Sequence, residues 1–151
     1  MKKKQHGVAI VEFALILPFL LLLTFITTEF GRAIWEYNTL AKSVRDAARY
    51  LSTRTPSSAV EMANARNLLV YGNLAGTGNP LALGLSLANV TANADHPDCC
   101  TWQYVGTNPV INTVTVRISG YTFNSMFTSV LGLPFGQVKF SDITATMRCY
   151  L

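Results

Sequence analysis

A short basic leader, a glycine and a long apolar run place the first constraint on this chain. Met1-Lys2-Lys3-Lys4-Gln5-His6 leads to Gly7, and from Val8 to about Ile26 the run is broken only by Glu12, Pro18 and Thr24. A helix needs roughly 20 apolar residues to cross a bilayer, and this run supplies them. A secretory signal has a shorter apolar region and a small-residue cleavage site. Here the run ends in Thr27-Thr28-Glu29-Phe30-Gly31-Arg32, which offers no such site. The expectation is a retained transmembrane helix over 8–28, after a leader of residues 1–7. Lys2, Lys3 and Lys4 favour a cytoplasmic amino terminus, which puts residues 29–151 outside the membrane as one small extracytoplasmic domain.

Glu12 needs a reason to be in such a helix. A carboxylate at the centre of a membrane helix costs a few kcal/mol, less near its end. One reading has Glu12 reaching the headgroups or staying protonated. The other has it pairing, inside a helix bundle, with the amine that cleavage after Gly7 would create on Val8 of a neighbouring subunit. Pro18 lacks an amide hydrogen and loosens the helix locally.

The chain carries 12 basic and 8 acidic side chains, for a formal charge of +4. Without the three leader lysines the balance falls to about +1, and the other basic residues are scattered among acids. No nucleic-acid-binding face is implied. Enzyme chemistry is not implied either: the two histidines are isolated, no Gly-x-Ser-x-Gly occurs, and Gly76-Thr77-Gly78 lacks a phosphate loop's context. Cys99, Cys100 and Cys149 fall in the extracytoplasmic part, where an oxidising compartment favours a disulfide. Vicinal pairing is strained, so Cys149 is expected to bond Cys99 or Cys100. His96 with the three cysteines lacks the spacing of a zinc site, and no metal or cofactor is expected.

Glu29 to about Leu51 contains no proline, and Leu40, Val44, Ala47 or Ala48, and Leu51 recur at helical spacing. Glu36, Lys42, Arg45, Asp46 and Arg49 fill the other faces. The membrane helix therefore continues outward as a stalk, about 66 Å from Val8 to Leu51 at 1.5 Å per residue. Thr53-Arg54-Thr55-Pro56 ends it. Ser58-Ala59-Val60-Glu61 has the form of a capping box, predicting a second helix from about Ala59 to Tyr71, stopped by Gly72, with Val60, Ala63, Leu68 and Tyr71 as apolar positions. Gly72 to Asp98 reads as loop, with a short strand opening near Leu85. Strands are expected at 101–105, at 112–119 and at 137–149, the last bulged near Ser141-Asp142. Phe123 to Leu131 reads as a short helix or an apolar connector. The fold class is α+β: a long N-terminal membrane and stalk helix, a shorter second helix and a small C-terminal antiparallel sheet.

Gly7-Val8-Ala9-Ile10-Val11-Glu12-Phe13-Ala14-Leu15, Leu17-Pro18 and Glu29-Phe30-Gly31-Arg32 resemble the amino-terminal signature of TadE-like proteins, in the style of a prepilin processing site. Ala47-Ala48-Arg49-Tyr50 is similar to that family's stretch at the end of the long helix, and the closing strands are similar too. The resemblance implies a minor pilin, or pseudopilin, of the Tad tight-adherence system, matured by a prepilin peptidase and supporting biogenesis of Flp-type, type IV-like pili. It implies cleavage between Gly7 and Val8, with Glu12 and Phe13 in the processing and assembly motif. The implied partners are the peptidase, other Tad pilins and pseudopilins, the Tad inner-membrane assembly platform and membrane lipid. The implied location is the bacterial inner membrane, with a single pass, the carboxy-terminal domain outside, and a route into the pilus. The TadE-like and TadF-like subfamilies are not separated by these residues. The alternative is an unprocessed, membrane-anchored extracytoplasmic binding module, for which the leader would remain intact.

Overall fold

A computed structural model describes residues 6–55, 58–91, 100–105, 111–126, 129–130, 133–134 and 137–149. Helix α1 runs His6–Ser52, α2 Ala59–Tyr71 and α3 Ala88–Thr91. Strands β1 Cys100–Val105 and β2 Ile111–Ile118 form one antiparallel sheet with β7 Ile143–Arg148, in the order β1-β2-β7. Two small ladders pair β3 Thr122–Phe123 with β6 Val138–Lys139, and β4 Ser129–Val130 with β5 Leu133–Pro134. This is the expected α+β architecture. The chain divides into two compact units, Met1–Ile34 with Ser125–Gly136, and Trp35–Asn124 with Gln137–Leu151.

The second unit holds the hydrophobic core. Leu40, Val44, Ala47, Ala48 and Leu51 of α1 are fully buried, as their spacing demands. They share a cluster with Ala65, Leu69 and Val70 of α2 and with Val114, Val116, Ile118 and Ile143 of the sheet. Register explains which strand residues turn inward. Val116 lies between Cys100 and Ala145, Val114 between Trp102 and Met147, and Ile118 opposite Ile143, so all project from one face. On the other face the Thr115 and Thr146 hydroxyls meet at 2.8 Å.

Helix α2 keeps its expected bounds, and of its expected apolar positions Leu68 and Tyr71 pack against the core while Val60 and Ala63 do not. Gly72 ends it in a left-handed conformation, φ 71°, and its N–H donates to the Leu68 carbonyl at 3.0 Å. Ser58 is the N-cap, yet its side chain makes no capping bond. The capping box does not form, because the Glu61 carboxylate accepts a hydrogen bond from the Tyr50 hydroxyl on α1. The buried positions are Ala65, Leu69 and Val70, while Val60 is 68% exposed and Ala63 is exposed. The fully buried Ala65, Leu69 and Val70 and the partly buried Leu68 and Tyr71 together join the core cluster that α1 lines.

Three further expectations are corrected. The stretch near Leu85 leads into α3, whose Asn89 carbonyl accepts from the Ser119 amide at 3.1 Å. Phe123 to Leu131 is not helical in its described part: Phe123 pairs with Val138 in β3–β6, and Ser129–Val130 is a strand. The closing strand is not one bulged ladder. It changes partner at 140–142, with β6 on β3 and β7 on β2. The parity switch at Ser141-Asp142 marks this change of sheet.

The expected Cys149 disulfide is also absent. Cys149 is a free, partly buried thiol, and Cys100 is disulfide-bonded. Cys100 lies opposite Val116, Val116 lies opposite Ala145, and Cys149 is four residues further on. Two strand spacings and four residues of rise separate the two by about 16 Å, whereas a bridge needs Cα atoms roughly 4.4–6.8 Å apart. Cys99 lies outside the described residues.

Candidate functional site

The amino-terminal half of α1 is the candidate site, and it is built by one helix facing outward. Among the described residues, α1 alone is long and apolar enough to cross a membrane. Val8 is 68% exposed and Phe13 59%, and Ile10, Val11, Leu15, Phe19 and Leu23 are likewise exposed. A soluble helix hides such a surface; a lipid-facing helix presents it. The polar side chains of the run satisfy themselves locally. Thr24, Thr27 and Thr28 donate to the carbonyls of Leu20, Leu23 and Thr24 at 2.8, 2.8 and 2.9 Å, which suits a segment where water is scarce. Pro18 sits inside the helix without ending it.

Gly7 is helical, and a Cβ built there would meet nothing within 4 Å. It has no positive φ, so neither space nor backbone conformation requires glycine. Glu12 is exposed one turn beyond Val8 and has no side-chain partner among the described residues. The helix thus brings Gly7, Val8, Glu12 and Phe13 within two turns of one another. Cys100, at the start of β1, and Cys149, just past β7, belong to the second unit.

Where α1 leaves the apolar run, Glu29 is buried to 6% exposure. Burial alone raises the pKa of this carboxyl. Hydrogen bonds from the Arg32 and Ser125 side chains, the Arg32 charge and a bond from the Met126 backbone outweigh burial and hold it below the ordinary glutamate value. The Arg32 Nη2 to Glu29 Oε2 distance is 3.1 Å. A second buried glutamate, Glu36 at 4% exposure, accepts from the Tyr121 hydroxyl at 2.8 Å, and that hydroxyl also lies 2.9 Å from the Leu83 carbonyl. The helical pattern places Glu36 on the solvated side; the structure buries it. The Arg32 pair is local, three residues along the helix; no local signal foretells Ser125, Met126 or Tyr121, which lie about 90 residues away in the chain.

Cavities of the second unit carry charged side chains on their linings. One, of about 310 Å³, carries Lys42 and Asp46 on its lining; another, of about 460 Å³, carries Arg49 and Arg148 with Ser52 and Thr53. Neither lining set joins a nucleophile to a base. No cluster of three or more metal-ligating side chains occurs among the described residues; His96 and Cys99 lie outside them.

Residues 7–49 match the model of the family described as TadE-like protein. The match begins at Gly7 and ends three residues before α1 does, so one helix carries it. The family is one of pilus-associated structural proteins. No curated protein and no solved structure matches the chain.

Proposed function

From the TadE-like signature on α1 we propose that this chain is a minor pilin, or pseudopilin, that supports biogenesis of Tad (Flp, type IV-like) pili. A prepilin peptidase cleaves between Gly7 and Val8. Residues 8–28 then anchor the protein in the inner membrane, residues 29–151 stand outside it, and the protein works with other Tad pilins and the inner-membrane assembly platform.

The observation that carries this reading is Gly7. Neither the space around Gly7 nor its backbone conformation calls for glycine. Its place between the basic leader and the apolar run instead fits recognition by a peptidase. Glu12 supports the reading in the same way. It lies exposed on α1 with no described partner in its own chain, and it is free to meet the new Val8 amine of a neighbour during assembly.

The test is the intact mass of the full chain extracted from membranes, with and without the host's prepilin peptidase. A mature protein starting at Val8 only when the peptidase is present is the expected result. A chain that keeps Met1 in both conditions removes the processing step and leaves a plain anchored module.

A further inference from the structure

The cavity of about 460 Å³ brings together two arginines that lie far apart in the chain. Arg49 stands in the last turn of α1. Arg148 closes β7, an edge of the three-stranded sheet. Ser52, Thr53 and Met147 share the lining, and no acid does. Both arginines are exposed. Among the described residues neither has a hydrogen bond, an ion pair or a ring contact. Two cations that line one cavity with no anion between them repel each other.

The acceptors nearby are engaged or face elsewhere. Asp46, one turn before Arg49, lines the other cavity with Lys42. Asp142 lies 3.6 Å from Arg117, and the Glu61 carboxylate accepts from Tyr50. An arginine in a final turn often serves the last helix carbonyls, but here these have other donors. Ser52 Oγ donates to the Arg49 carbonyl at 2.8 Å, Thr53 Oγ1 to that of Tyr50 at 3.0 Å, and the Arg54 amide to that of Leu51 at 3.1 Å. The two hydroxyls have thus given their hydrogens away, and the cavity donates through its guanidinium groups. That donor set selects the anion. A guanidinium matches the two oxygens of a carboxylate in a planar fork. A phosphate has more oxygens and more charge, and its sites commonly add the amides of a helix N-terminus. This cavity lies at a helix C-terminus, which disfavours extra negative charge. Met147 offers an apolar surface for a methylene stem.

We propose that this cavity docks an acidic segment of a protein partner, with a Glu or Asp carboxylate held by Arg49 and Arg148 and its stem against Met147. All five lining residues belong to the second unit. The contact is therefore tested independently of cleavage after Gly7, and its failure is distinguishable from failure of the processing step.

The probe is a fluorescein-labelled peptide of alternating Glu and Gly. It is titrated with the detergent-solubilised full chain and followed by anisotropy at low salt, where exposed charges are least screened. The expected result is saturable binding that weakens about five-fold, the upper range for an exposed ion pair, in Arg49→Gln and likewise in Arg148→Gln. Arg49→Lys keeps the charge without the fork and should fall between wild type and Arg49→Gln. A Gln–Gly peptide should not bind. Arg54→Gln controls for general positive charge, since Arg54 stacks over the Tyr50 ring at 5.0 Å; its binding should stay within about two-fold of wild type. A second measurement needs no substitution. Labelling of the wild-type chain by p-hydroxyphenylglyoxal, read by peptide mass mapping, should slow at Arg49 and Arg148 when the acidic peptide is present, and not at Arg45 or Arg54. Absence of binding, an equal loss in Arg54→Gln, or equal protection of all four arginines overturns the proposal. So does inorganic phosphate that displaces the peptide several-fold better than acetate at equal ionic strength, which would make this a phosphate site.

Discussion

Replacing Tyr121 with Phe isolates the polar tie between α1 and the sheet end of the second unit. The ring stays, and with it the packing on Phe140, whose centroid lies 5.6 Å away. Only the hydroxyl is lost, and it sits 2.8 Å from Glu36 Oε2 and 2.9 Å from the Leu83 carbonyl. Both Tyr121 and Glu36 are buried, so water cannot readily replace the missing donor. A buried hydrogen bond to a carboxylate is worth about 1.5–3 kcal/mol. Taking about 2 kcal/mol, the melting temperature of the second unit should fall by about 8 °C for a unit of this size. The assay is thermal unfolding of the detergent-solubilised full chain, followed by the fluorescence of Trp35 and Trp102. Helical signal alone is a poor probe, because the exposed half of α1 contributes to it without sharing the core. Glu36→Gln completes a double-mutant cycle, and residues in direct contact should show a coupling of about 1 kcal/mol or more. A loss below about 0.5 kcal/mol, or additive effects, would refute the claim that this bond ties α1 to the fold.

Three other outcomes follow from named groups. Glu12→Gln should insert in membranes at least as well as wild type, since a carboxylate leaves the lipid-facing run, and should impair pilus assembly; normal leader cleavage with normal pili would end the intersubunit role. Glu29 has a folded pKa below its ordinary value, so its contribution to stability is present above that ordinary value and lost as pH falls through the folded one; the stability difference between wild type and Glu29→Gln should shrink toward zero in acid, and a pH-independent difference contradicts the assignment. Burial raises the Cys149 thiol above its ordinary value, which keeps it protonated at neutral pH; alkylation should be slower than for a free peptide cysteine, and the thiol's contribution to stability should fade as pH climbs past the ordinary value, whereas fast labelling at neutral pH argues against that burial.

Much of this chain could be read from residue order because the governing forces are local. The apolar run and the stripe Leu40, Val44, Ala47, Ala48 and Leu51 announce α1, because a 3.6-residue period must present one face. Gly72 stops α2 because its left-handed φ suits glycine best. The alternation in 112–119 announces β2, because a pleat turns every second side chain to the core. The Gly7, Val8, Glu12 and Phe13 motif is likewise visible in order alone, since one helix carries all four.

What local order left undecided depends on residues far apart in the chain. Glu61 fits a capping box until Tyr50 on α1 offers a hydroxyl to the same carboxylate. Glu29 and Glu36 look solvated on a helical wheel, yet Ser125, Met126 and Tyr121 arrive from the far end of the chain to bury and bond them. Cys149 seemed a natural partner for Cys100 until the register of three strands set them about two strand spacings apart. Periodicity, turn residues and a short sequence motif act within a few residues, so order along the chain decides them. Which buried carboxylate finds a donor, which helix face docks and which thiols meet are settled only once distant segments have packed.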